Sequence, residues 1–186
     1  GYVADGIFKS QDEIDNHATQ EGAALGRIRW KDLNNDGKIT EADQEWIYDP
    51  TPDFTYGFNI YLEYNNFDFT AFFQGVQGVD IISDLKKETD IWAGLNIGFL
   101  NKGRRLLDAW SATNPNSNIP AVSLSDNNNE KRVSSYWVEN GSYLKLRTVQ
   151  IGYNVPKSFA QKLAMERLRF YLSAQNLFTV KSSSFT

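Results

Sequence analysis

Between Asp32 and Asp43 the chain reads Asp32-Leu33-Asn34-Asn35-Asp36-Gly37-Lys38-Ile39-Thr40-Glu41-Ala42-Asp43. Side-chain oxygens recur at Asp32, Asn34 and Asp36, the Lys38 carbonyl follows, and Thr40 and Asp43 complete the run. A hard cation such as calcium takes about six to eight oxygens, and a loop with this spacing wraps them around one point. Gly37 supplies the sharp turn that a side chain would resist. The expected cofactor is therefore calcium, held by Asp32, Asn34, Asp36, Lys38, Thr40 and Asp43. Asp43 stands where a bidentate Glu is usual and is one methylene shorter, so it closes the site through one oxygen or through water. The competing reading is a run of Asx-turns with a glycine that needs no metal. No amphipathic helix pair flanks the loop, which suits a clip ordering a long surface segment rather than a sensor.

Other chemistry is sparse. His17 is the single histidine and there is no cysteine, so two-His and thiolate metal sites are excluded. A histidine-based catalytic triad has no base beyond His17, whose simplest reading is an exposed loop residue. Asp12, Glu13 and Asp15 form a solvated acidic patch. Paired carboxylates could serve a hydrolase, but with 23 acidic residues such pairs arise by chance. The chain is not expected to be an enzyme. Trp92 and Trp110 could stack on a sugar ring, or pack their own loop against itself.

The elements that position these groups are strands. In Phe54–Tyr64, Phe54, Tyr56, Phe58, Ile60, Leu62 and Tyr64 fall on one face, and Thr55, Gly57, Asn59, Tyr61 and Glu63 on the other. After Asn65-Asn66, Phe67, Phe69, Ala71 and Phe73 oppose Asp68, Thr70, Phe72 and Gln74. The lengths fit the roughly 9–11 residues a tilted strand needs to cross a bilayer. Tyr136–Val155 returns to strand around the turn-prone Asn140-Gly141, with Val149, Ile151, Tyr153 and Val155 on one face. Lys145 and Arg147 share that parity, which predicts that the upper part of this strand stands above the lipid. Lys157–Arg167 reads as a short amphipathic helix with Phe159 and Leu163 one turn apart. The last strand, Leu168–Val180, slips parity near Asn176-Leu177, the signature of a bulge or a rim. A further helix is expected at Phe99–Trp110.

The chain thus divides into a long extracellular loop (1–53) carrying the calcium-type loop (32–43), a barrel hairpin (54–75) and a second long extracellular loop (76–142). A strand pair (143–180) with a periplasmic helical turn (157–167) and the start of a further loop (181–186) complete it. The fold class is all-β: an antiparallel transmembrane β-barrel segment of about four strands. Four strands leave two open edges, which lipid does not tolerate, so the segment must complete a larger sheet. Phe58, Ile60, Leu62, Phe69, Ala71, Phe73, Val149, Ile151, Phe170 and Leu172 are expected to face lipid. Asn59, Glu63, Asp68, Thr70 and Gln74 are expected to face the lumen.

Bulk properties agree. Aromatics make up 14% of 186 residues while mean hydropathy is −0.48, as an apolar outer face with wet loops requires. A net charge of −4 argues against a nucleic-acid partner. No run of about 18 apolar residues marks a transmembrane helix. The opening Gly1-Tyr2-Val3 carries no charged or apolar leader, and reads as an internal or processed piece of a longer chain.

Several blocks resemble the C-terminal part of SusC/RagA-type TonB-dependent outer-membrane transporters. They are Asp5-Gly6-Ile7-Phe8-Lys9-Ser10-Gln11, Arg29-Trp30-Lys31 leading into Asp32–Gly37, and Phe54-Thr55-Tyr56-Gly57-Phe58-Asn59. Phe72-Phe73-Gln74-Gly75-Val76-Gln77-Gly78, Asp108-Ala109-Trp110 with Asn114-Pro115-Asn116, and Asn140-Gly141-Ser142-Tyr143-Leu144-Lys145-Leu146 continue the likeness. Gly152-Tyr153-Asn154-Val155-Pro156-Lys157 and Gln175-Asn176-Leu177-Phe178-Thr179 complete it, in the family's order across nearly the whole chain. The resemblance implies a barrel of about 22 strands with an N-terminal plug. It implies energy from TonB, a SusD-like surface lipoprotein as lid, and import of oligosaccharides or peptides across the bacterial outer membrane. Plug and TonB-contacting region are absent from this stretch, which would supply wall and outer loops. The alternative is a secreted, soluble β-rich glycan-binding module with a calcium-ordered loop.

Overall fold

The computed structural model describes residues 1–90, 102–123 and 125–182. Its strands are β1 (Ala4–Ile7), β2 (Ile28–Trp30), β3 (Phe54–Tyr64), β4 (Phe67–Gln77), β5 (Asp80–Ile82), β6 (Val138–Asn140), β7 (Tyr143–Asn154) and β8 (Arg169–Lys181). The α-helices are short: α1 (Gln11–Asp15), α2 (Asp84–Asp90) and α3 (Lys157–Ala160). No described helix is long and apolar enough to cross a membrane. The chain forms two compact units, one from Gly1–Asp49 with Ile81–Glu139, the other from residues 50–80 with 140–182.

The second unit is a four-stranded antiparallel sheet in the order β3-β4-β7-β8. Asn65 takes the left-handed conformation (φ 53°) that a two-residue hairpin turn needs, and so sets Tyr64 opposite Phe67. That register carries the alternation across the sheet. Leu62, Phe69, Ile151 and Leu172 form one cross-strand row, and Ile60, Ala71, Val149 and Ala174 the next. Tyr64, Phe67, Tyr153 and Phe170 close the short-turn end, with the Phe67 and Tyr153 rings 4.7 Å apart. Every residue of the expected outward set lies on this face, and the expected inward set on the other.

One expectation for this sheet fails. Phe72 pairs with Thr148 but Phe73 pairs with Leu146, so Arg147 is an extra residue against β4. On the other side Asn176 and Leu177 together oppose Arg147, with Asn176 left-handed (φ 52°). These bulges reverse the parity of β7, so that Leu146 joins Phe73 and Phe178 on the apolar face while Lys145 pairs with Gln74 and Thr179 on the polar one. The apolar face therefore runs on past Arg147, and Lys145 is no sign of strand above the lipid. The slip at Asn176-Leu177 is a bulge, as its sequence indicated.

The first unit, drawn from the two stretches expected as long loops, is a packed body. Ile7, Ile28 and Trp30 are buried with Tyr2, Ala4, Ile39, Trp110 and Tyr136 against them. β1 meets β2 with Ala4 opposite Trp30 and Ile7 opposite Ile28, so Asp5 and Gly6 (φ 90°) face Arg29 alone. Among the described residues no strand lies beside the far edge of β2. Instead Glu130 accepts from Ile28 N (2.9 Å), the Ile28 carbonyl accepts from Gln20 Nε2 (2.8 Å) and Asn128 Nδ2 (2.9 Å), and Gln20 Oε1 accepts from Trp30 N (2.9 Å). Arg27 neutralises Glu130 at 2.9 Å and also donates to the Ala121 carbonyl. Burial pushes the Glu130 carboxyl up in pKa, and the Arg27 charge opposes the shift.

The expected helix at Phe99–Trp110 resolves, in its described part, as a 3-10 turn over Arg104–Asp108; residues 99–101 lie outside the described residues. Lys157–Arg167 is helical only through Leu163, because Ala164 turns left-handed (φ 56°) and its N–H closes on the Gln161 carbonyl.

Glu130→Ala would leave the Ile28 N–H buried without its acceptor and the Arg27 guanidinium without its carboxylate partner. The expected loss is about 3 kcal/mol of local stability. It should be read as roughly hundredfold faster amide exchange at Ile28 and Trp30, with exchange in β4 and β7 unchanged.

Candidate functional site

The residues expected to hold calcium form one closed turn. Asp32 leads it, with Oδ2 accepting from Gly37 N at 2.9 Å. Asn34 Oδ1 accepts from Asp36 N and Asp36 Oδ1 from Lys38 N, both at 2.9 Å, so each side chain caps the backbone two residues on. Gly37 sits at φ 79°, a conformation in which a side chain would be strained. Its carbonyl accepts from Thr19 N (2.8 Å), and Ile39 N donates to the Thr19 carbonyl (3.0 Å), which ties the turn to a parallel bridge between Thr19 and Lys38.

Asp43 is fully buried at the base of the turn. Its Oδ1 accepts from Leu33 N (2.9 Å), its Oδ2 from Thr40 N (2.7 Å), and Thr40 Oγ1 caps Ala42 N (3.2 Å). The Thr40 N–H, ahead of those of Leu33 and Asn34, holds the Asp43 carboxyl below the usual carboxylate range despite its burial. Asn34 and Asp36 are exposed, whereas Asp32 is half-buried and its Oδ1 is a buried oxygen with no hydrogen-bond partner. Among the described residues no three His, Cys, Asp or Glu side chains stand together as a metal-holding group. Asp43 accepts from the main-chain N–H groups of Leu33, Asn34 and Thr40. The donor set has the chemistry for a hard cation, and the turn is also complete as a network of Asx-turns.

The polar face of the sheet carries a second constellation, at its short-turn end. Asp68 and Arg169 pair at 2.5 Å, with Arg169 Nε also donating to Asp68 Oδ1 (3.2 Å). Asn154 Nδ2 reaches the same oxygen at 3.4 Å, and Arg167 donates to Asn154 Oδ1 (3.2 Å). The ion pair lies across Gly152, where any Cβ would strike both the carboxylate and the guanidinium. A glycine inside a strand is a signal of close approach, and it was the one local hint of this pair.

Other candidates separate. His17 is half-buried, edge-on to Phe8 at 5.2 Å, rather than exposed. Trp110 packs against the core of the first unit and against Gly26, so it serves packing; Trp92 lies outside the described residues. Asp12, Glu13 and Asp15 lie on α1, where Ser10 Oγ caps Glu13 N (3.2 Å) and Glu13 returns to Lys9 N (2.8 Å). Gln20, Asn128 and Glu130 gave no sequence signal, since their meeting depends on chain contacts about a hundred residues apart.

No family model matches the chain. It is 38% identical over 180 residues to TonB-dependent receptor P3 of Formosa agariphila, covering 96% of this chain and 17% of that receptor. TonB-dependent receptor P26 of the same organism is 33% identical over 175 residues, or 92% of the chain and 17% of the relative. Among solved structures, the RagAB peptide transporter superposes with a TM-score of 0.74 at 25% identity, over 97% of this chain and 19% of that one. The RagAB peptide importer in its open-open state gives a TM-score of 0.70 at 24% identity, a likeness of fold. The chain thus spans about a sixth of the length of the curated relatives it matches. With its sequence and its antiparallel sheet matched together, the chain resembles a segment of the TonB-dependent receptors of the SusC/RagA kind.

Proposed function

We propose that these residues form wall and outer loops of a TonB-dependent transporter. It imports oligosaccharides or peptides across the bacterial outer membrane together with a SusD-like surface lipoprotein. The observation that carries this reading is the sheet itself. One face is apolar across all four strands, and every residue of β3 is exposed, Phe58 by 44% and Leu62 by 59%. β3 and β8 are edges whose main-chain groups need further strands, and an apolar face of this extent needs lipid. The remainder of the barrel and an internal plug would supply the first, and the outer membrane the second. The polar face, with Asp68, Arg169 and Gln150, then looks into a wet lumen.

The peptide named in the RagAB structures supports a peptide cargo for the intact protein, and the resemblance supports oligosaccharides equally. Deleting the receptor gene should abolish growth on the cargo while leaving growth on its monomers intact. Residues 1–186 expressed alone should require detergent. A monodisperse, cooperatively melting monomer in plain buffer would overturn the reading in favour of the secreted module.

Face assignment has its own test. Phe73→Arg, on the apolar side, should cost the intact receptor about 2–4 kcal/mol in phospholipid vesicles if its row lies at the midplane. Phe72→Arg, one residue away and on the polar side, should cost much less. Equal costs would remove the distinction between the faces.

Calcium uptake at Asp32–Asp43 belongs to the same proposal. Its support is the all-oxygen donor order Asp32, Asn34, Asp36, Lys38 carbonyl, Thr40 and Asp43, together with the unpartnered buried Asp32 Oδ1. Bound there, the cation would clip the surface segment without taking part in any reaction. Calorimetry on the intact receptor should show one calcium site that Asp36→Ala removes. Absence of binding would leave the turn as hydrogen bonding alone.

A further inference from the structure

The connection between β7 and β8 presents an unusual surface. Phe159 is 62% exposed, Leu163 59% and Met165 45%, although the segment is only a turn of helix and a 3-10 turn long. A soluble turn has no reason to display three large apolar side chains within seven residues. Cations surround them: Lys157, Lys162 and Arg167 are all exposed, with Glu166 the single acid of residues 156–167, in a chain whose net charge is −4. Lys162 Nζ lies 5.2 Å from the centroid of the Phe159 ring, so cation and aromatic share one patch. Beside it is a concavity lined by Lys157 and Arg167, by the amides of Asn66, Asn154 and Gln161, and by the single Glu166 carboxylate, which the two cations outnumber. Such a hollow offers positive charge and N–H donors together, which is what a phosphate diester takes.

The patch also continues a surface already described. The last row of the apolar face, Tyr64, Phe67, Tyr153 and Phe170, is entirely aromatic, the composition of a membrane–water boundary. The chain leaves β7 one residue beyond Tyr153 and re-enters β8 one residue before Phe170. The connection therefore begins at the depth where headgroups begin. Basic side chains there gain from anionic lipid, and apolar ones from shallow insertion.

We propose that the β7–β8 connection is an interfacial anchor. Phe159, Leu163 and Met165 enter the acyl boundary, while Lys157, Lys162 and Arg167 bind the phosphates of anionic phospholipid. The partner is lipid, chosen by the match of charge and by the aromatic row that adjoins it. The inference rests on the reading of β3, β4, β7 and β8 as membrane-spanning, and the experiment separates the two.

Spin labels are placed on the intact receptor at Leu163→Cys, with Leu172→Cys on the apolar sheet face and Glu41→Cys on the exposed turn as references. The receptor is reconstituted in vesicles of phosphatidylethanolamine with a minor fraction of phosphatidylglycerol. The ratio of oxygen to nickel-chelate accessibility should be highest at 172, several-fold above the position 41 value at 163, and lowest at 41. Replacing both lipids by phosphatidylcholine should lower the ratio at 163 and leave that at 172 unchanged. A label at 163 as aqueous as the one at 41, with 172 still in lipid, overturns the anchor alone. A label at 163 shielded from both relaxants means a protein partner there, and also overturns it. If 172 is aqueous as well, the membrane reading has failed and the anchor with it. Lys157→Gln/Lys162→Gln/Arg167→Gln should abolish the dependence on phosphatidylglycerol; a dependence that survives overturns the role of the cations.

Discussion

Main-chain hydrogen bonding is the constraint on which both units depend. Inside the β3-β4-β7-β8 sheet each strand has a neighbour to satisfy its N–H and C=O groups, and among the described residues β3 and β8 each have one on a single side only. Desolvating an unpaired peptide group costs more than most side-chain contacts return, so in the proposed membrane setting these two edges call for further strands beside them. The first unit meets the same demand differently. β2 is only Ile28–Trp30, and its open edge is completed by the side chains of Gln20, Asn128 and Glu130 acting as a substitute strand. Because those amides and the carboxylate are themselves buried, each must be fully partnered, and Arg27 supplies the charge that Glu130 needs.

The bulges at Arg147 and Asn176-Leu177 show how register protects a face. Without them, β7 would turn Lys145 and Arg147 to the side occupied by Phe73 and Phe178. One extra residue shifts the parity, so Leu146 lies between those rings and Lys145 meets Gln74 on the polar side. An irregularity in the ladder thus costs little backbone pairing and saves a charge from an apolar surface. Asn176 fits the place because its short amide tolerates the left-handed conformation better than a branched residue would.

The Asp32–Asp43 turn illustrates one set of oxygens serving two chemistries. Asn34 and Asp36 stabilise the turn by capping their own backbone, and Asp43 seals its base from within. A cation would draw on the same oxygens, and Asp32 Oδ1 is the one already without a partner. The β7–β8 connection is the contrary case, where side chains expose apolar area that nothing among the described residues covers.

Strand parity, the Asn65-Asn66 turn and the order of oxygens from Asp32 to Asp43 were legible in the residues alone. Each is set by spacing over a few positions, where the backbone period of two or the geometry of an Asx-turn acts directly. The slip at Asn176-Leu177 was visible for the same reason. Tertiary structure alone decided three things. It made residues 1–49 and 81–139 a packed body, because Gln20 and Asn128 or Ile28 and Glu130 meet only after the chain has folded back on itself. It assigned Leu146 rather than Lys145 to the apolar face, because a bulge is defined by the residues of the partner strands and has no period of its own. It also buried Asp43 with its oxygens on main-chain N–H groups. Spacing specifies which oxygens lie near one another, but competition with the surrounding backbone decides where they point.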